Sequence, residues 1–132
     1  MHDKKTGGYF NGQCLVFLVL VTPKLTVPVG FRFHEPDPER SEDLRLKRAG
    51  VRKADRPAAP APNPAYPGKA EQALELIGEF RWHHTDTRVK AVVADAWFGT
   101  QEFLDEASQL CGHVQAISQL RNNQNVRLRG RD

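Results

Sequence analysis

Long apolar stretches are scarce in this chain. The longest, CLVFLVLV from Cys14 to Val21, is too short to cross a bilayer as a helix. Gly7, Gly8, Asn11 and Gly12 interrupt its approach from Lys4 and Lys5. A second strand-like run follows Pro23 where a signal peptide would show a small-residue cleavage site. No membrane partner is expected, and the chain reads as cytoplasmic. Cysteine is sparse too: there are 2, Cys14 and Cys111, in apolar contexts and in no CxxC pair. Two buried thiols in a reducing compartment are the expectation, with a disulfide left open by the sequence. Aromatics are few, at 2 Tyr, 2 Trp and 7 Phe, and the hydrophobic fraction is 39% over 132 residues. That supplies one modest core that does not include every segment. No internal repeat is present. The net charge of +3 permits a polyanionic partner without demanding one.

Four segments are present. Residues 1–34 carry a β-hairpin. CLVFLVLV is continuous in the manner of a strand buried on both faces. TPKL turns, and LTVPVGFRFHE alternates Val27, Val29, Phe31 and Phe33 with Pro28, Gly30, Arg32 and His34. Period two predicts a strand with one exposed side, and Pro28 with Gly30 predicts an edge or a bulge. Residues 35–68 hold charges of both signs without apolar periodicity. They end in PAAPAPNPAYP, with 5 Pro and 4 Ala in 11 residues. Such a stretch reads as an insertion or polyproline spacer, with a Pro-rich ligand for a small binding module as the alternative.

Residues 69–120 turn α/β. Ala70, Ala73, Leu74, Ile77 and Phe80 form one helical stripe, weakened at Gly78 by about 1 kcal/mol relative to alanine. RVKAVVAD is a strand. Thr100 suits an N-cap, Glu102 the first turn, and Phe103, Leu104, Ala107, Leu110 and Cys111 the next stripe, with Gly112 at its end. HVQAISQL closes as a strand. Residues 121–132 form a basic tail, with Arg121, Arg127, Arg129 and Arg131. The expected fold class is α/β: a mixed sheet in which an antiparallel hairpin is followed by α-β-α-β, with the helix-linked strands parallel.

Asp95 is the residue with most chemical promise. It ends an apolar strand, where an open α/β sheet collects its functional groups. A carboxylate there suits a hard cation such as Mg²⁺ or Mn²⁺. One carboxylate holds such an ion poorly, and a pair of ions about 3.5–4 Å apart needs several acids. The plain alternative is an Asx turn or a cap.

VVADAWFGTQEFLDEASQL resembles the second catalytic block of insertion-sequence DDE transposases: Asp95, Ala96, the aromatic pair Trp97 and Phe98, Gly99, then a helix opening on Phe103. GYFNGQCLVFLVLVTPKLTVPVGFRFHEPDPE resembles the strand pair before that block, and VQAISQLRNNQNV the strand after it. The similarity spans residues 8–126 apart from the linker. It implies an incomplete ribonuclease-H-like fold. In intact relatives it implies a homodimer that binds transposon-end DNA and cleaves phosphodiesters with Mg²⁺ or Mn²⁺ held by three acids. Asp95 corresponds to the middle acid, catalytic and metal-ligating. The first acid is expected on a strand ahead of the hairpin, where only Asp3 stands. The third is expected on a helix beyond Asp132, and Glu102 and Glu106 lie on the wrong helix. The chain is therefore expected to be truncated at both ends, and unaided catalysis is not expected. Trp97 either packs under the Asp95 loop or stacks on an unpaired base, and Arg121 and Asn122 suit phosphates and base edges. A different class stays open: a noncatalytic α/β module binding nucleic acid or a protein partner. His83 with His84 reads as a solvated loop pair, and His34 with Glu35 as a strand end.

Overall fold

The computed structural model describes residues 12–125, so Asp3, Lys4, Lys5, Arg127, Arg129 and Arg131 lie outside the described residues. Its contacts divide the chain into two units, Met1–Ala73 and Leu74–Asp132. The architecture is mixed α/β, and the strands pair as two two-stranded ladders where the sequence predicts one mixed sheet. Each ladder joins strands separated by one turn or one helix, pairings with a small loop-closure cost. No described helix is long and apolar enough to cross a membrane.

In the first unit β1 (Cys14–Val21) pairs antiparallel with β2 (Thr26–His34). The register shifts between Leu18 and Val19. Leu18 faces Gly30 and Val19 faces Pro28, which leaves Val29 as the extra residue of a bulge. The bulge expected from Pro28 and Gly30 is therefore present: proline has no N–H for the ladder and glycine tolerates the distortion. The expectation that β1 is buried on both faces is corrected. Val16 is buried, but Leu15, Phe17, Val19 and Val21 are exposed, Phe17 by 56%. The strand is covered on one side only, so its apolar continuity does not report two-sided burial. On the open side Phe31 stands 6.1 Å from Phe17 and 5.7 Å from Phe33, between ring centroids.

The segment read as insertion carries a helix, α1 (Pro38–Arg48). Asp37 caps it, its Oδ1 accepting from the Glu39 N–H at 2.9 Å, and proline opens the first turn. It buries none of its residues, so no apolar stripe marked it in the sequence. Its surface is paired instead: Glu42 with Arg45 at 2.6 Å and Asp43 with Lys47 at 2.6 Å. The Arg45 guanidinium, by hydrogen bonding, holds the Glu42 carboxyl below its ordinary range.

α2 (Lys69–His83) begins in the first unit and continues into the second. Near its start Gln72 Nε2 donates to the Phe33 carbonyl at 2.9 Å. Further along, Leu76 and Ile77 are buried while Ala70 is exposed, so the buried stripe is rotated from the expected one.

In the second unit β3 (Ala91–Ala94) pairs parallel with β4 (Gln115–Ser118), and α3 (Gln101–Leu110) connects them and packs on both. Phe103 and Ala107 form the buried face of α3, and the buried Cys111 caps its end. The helix closes on Gly112, at φ +88°, with the His113 N–H reaching the Ser108 carbonyl and the Gly112 N–H the Gln109 carbonyl. That double closure requires a left-handed residue, which glycine adopts without a Cβ clash. Both cysteines are free thiols. Burial pushes the Cys111 thiol up, against a smaller downward pull from the Arg81 charge.

Candidate functional site

The site forms where β3 ends. Asp95 keeps the extended backbone of the strand, and its side chain turns back: Oδ1 accepts from the Trp97 N–H at 2.8 Å. That bond caps a single 3₁₀ turn, Ala96–Phe98. The turn is anchored from below by Phe98, whose ring lies 5.2 Å from the buried Phe103 ring. Thr100 then starts α3, its Oγ1 accepting from the Phe103 N–H at 3.3 Å.

Residues after β4 close over the same loop. Ser118 Oγ donates to the Asp95 carbonyl at 2.7 Å. The Arg121 guanidinium donates through Nε to the Ala96 carbonyl at 2.8 Å and through Nη2 to the Trp97 carbonyl at 2.7 Å. Its carbon lies 5.0 Å from the centroid of the Trp97 ring, a cation–π distance. Gln124 bridges both sides, accepting from the Arg121 N–H at 2.8 Å and donating to the Gly99 carbonyl at 2.8 Å. Gly99 makes this closure feasible. A Cβ there would meet the Gln119 carbonyl oxygen at 2.9 Å.

Three of the four residues singled out by sequence therefore meet at one rim: Asp95, Trp97 and Arg121. Asn122 is exposed in the turn between Arg121 and Gln124. Trp97 is 57% exposed and therefore does not pack as a core residue under the loop. Arg121 directs two of its donors at backbone carbonyls, so its first role is to tie down the loop. Sequence reasoning missed Ser118 and Gln124. Their bonds to the loop carry no local signal, because the loop carbonyls they reach lie more than 20 residues away across the fold.

The donors at this rim do not fit Mg²⁺ or Mn²⁺. Asp95 is exposed, one of its oxygens is committed to Trp97, and no group of three His, Cys, Asp or Glu that could hold an ion occurs among the described residues. His84 instead sits against Phe80, with ring centroids 4.8 Å apart. Compared with protein-family models, curated proteins and solved structures, the chain matches none.

Proposed function

We propose that this chain is part of a DDE-transposase-like, ribonuclease-H-like core that binds DNA through the Asp95 rim and does not cleave it alone. The observation that carries the reading is the placement of the block VVADAWFGTQEFLDEASQL. Its carboxylate stands at the carboxyl end of a strand in a parallel β-turn-α-β unit, with an exposed tryptophan and an arginine beside it. Aromatic rings stack on unpaired bases and guanidinium groups contact phosphates, so this rim suits single-stranded or frayed DNA ends. The lone carboxylate serves as a cap, and the two-ion chemistry of intact relatives needs acids that the rim does not supply. Transposon-end DNA as the ligand, a homodimer as the working assembly and a cytoplasmic location belong to the same proposal.

The test is fluorescence anisotropy of the full chain with labelled single-stranded and duplex oligonucleotides, beside a plasmid-nicking assay with Mg²⁺ and with Mn²⁺. Binding to single strands is expected, weakened about tenfold by Trp97→Ala, since one base–aromatic stack contributes about 1–3 kcal/mol. Nicking is expected with neither ion. Nicking that Asp95→Ala abolishes would overturn the noncatalytic half of the reading, and absence of DNA binding would overturn the other half. A second reading, a protein-binding module, is favoured by the exposed Phe17, Phe31 and Phe33 face and would then take its place.

A further inference from the structure

The amino end of β3 has a feature that the rim does not use. A cavity of about 610 Å³ opens there, with Arg81, Arg88 and Lys90 on its wall and Val89, Val114 and Cys111 as its apolar lining. Arg81 comes from the last turn of α2 and donates through Nη1 to the Thr87 carbonyl at 2.5 Å. Arg88 and Lys90 come from the approach to β3, and Val114 from the approach to β4. Cations at a helix carboxyl end offset its partial negative charge, and that accounts for Arg81. It does not account for Arg88 and Lys90, which belong to no helix.

Among the described residues, no acidic one lines this cavity. Among the described residues neither Arg88 nor Lys90 has an ion-pair partner, whereas in the first unit Arg45, Lys47, Arg52 and Arg56 each sit on a carboxylate. Three positive charges, two of them without an ion-pair partner among the described residues, stand around a concave wall and concentrate anions there. The volume falls in the range of about 300–1,000 Å³ found for small-molecule clefts, and the lining is apolar beside the charges.

We propose that this cavity binds a phosphomonoester of nucleotide size, its phosphate held by Arg81, Arg88 and Lys90 and its organic part resting on Val89, Val114 and Cys111. The guanidinium forks match phosphate oxygens in pairs, and the ammonium adds a point charge. The inference stands apart from the DNA reading, since it concerns other residues at the opposite end of β3.

The experiment is calorimetric titration of the full chain at low ionic strength with three probes: inorganic phosphate, adenosine 5′-monophosphate, and a short oligonucleotide with and without a 5′-phosphate. The nucleotide is expected to bind more tightly than inorganic phosphate. Arg88→Gln combined with Lys90→Gln, both at exposed positions, is expected to weaken it about tenfold or more, as loss of charge-assisted hydrogen bonds does. Arg52→Gln, at an exposed cation elsewhere, is expected to change nothing. Binding of the free nucleotide supports a soluble ligand, and a gain in oligonucleotide affinity from the 5′-phosphate that the double variant loses supports a strand end. Equal affinity in the parent and the double variant overturns the proposal, as does binding of neither inorganic phosphate nor the nucleotide together with no gain in oligonucleotide affinity from the 5′-phosphate. Neither result bears on the DNA measurement through Trp97.

Discussion

The two units solve the problem of a small core differently. In Leu74–Asp132, Leu76, Ile77, Phe103, Ala107 and Cys111 are buried. In Met1–Ala73, Val16 is the one buried hydrophobic residue among those described, and α1 buries none. The first unit instead relies on local devices: a bulged hairpin, a cross-strand aromatic pair, a capped helix and ion pairs along its surface. Hydrophobic burial among the described residues is thus greater in the second unit, which also carries the loop of Asp95 and Trp97 and the Arg121 that closes over it.

The largest test of this contrast is a pair of phenylalanine truncations. Phe103→Ala should destabilise the fold by about 3–5 kcal/mol, as removal of a buried aromatic does. Phe17→Ala should cost under about 1 kcal/mol, because its ring is already half in solvent. Urea denaturation measures both, and equal losses would break the contrast by showing that the hairpin face is covered in solution.

Gly99→Ala comes next. Its Cβ would sit 2.9 Å from a backbone oxygen that cannot swing aside, and overpacking of this kind costs about 1–3 kcal/mol. Tryptophan fluorescence should change with it, as the Arg121–Trp97 stack loosens. An unchanged spectrum would mean that the rim is not closed as described.

Helix caps sharpen the comparison by predicting no contrast. Thr100→Ala in the second unit and Asp37→Ala in the first each remove one side-chain acceptor from a helix start, and each should cost about 1 kcal/mol. Caps act locally, so core density should not separate them. A Thr100 effect several times larger would show that the cap also holds the functional loop.

The smallest effect is electrostatic. The folded state lowers the Glu42 pKa, so its pairing with Arg45 contributes stability above the unfolded glutamate pKa and loses it as pH falls through the folded one. Both groups are fully exposed, and surface pairs of this kind contribute little. Glu42→Gln should therefore shift the urea midpoint barely at neutral pH, and the parent and variant should converge in acid. A shift that grows in acid would reverse the sign.

Periodicity and turn chemistry made most elements legible. The hairpin, the α2 and α3 helices, the Thr100 cap, the Gly112 closure and the bulge at Pro28–Gly30 all follow from residues close in sequence. The α1 helix was not read from the sequence, because a helix that buries none of its residues needs no apolar stripe. The one-sided exposure of CLVFLVLV was not legible, since an apolar residue has the same identity whether or not a layer covers it. At the rim, Asp95 and Trp97 were marked by their place after a strand, and Ser118 and Gln124 were not marked at all.

What the sequence determined by itself is what neighbouring residues settle among themselves: where strands and helices start, turn and stop, and that a carboxylate ends β3. Tertiary structure alone decided how that carboxylate and its neighbours are used. Hydrogen bonds from residues 118–124 to the carbonyls of residues 95–99 depend on chain segments brought together by packing, and no local pattern encodes a contact whose two halves lie on different elements.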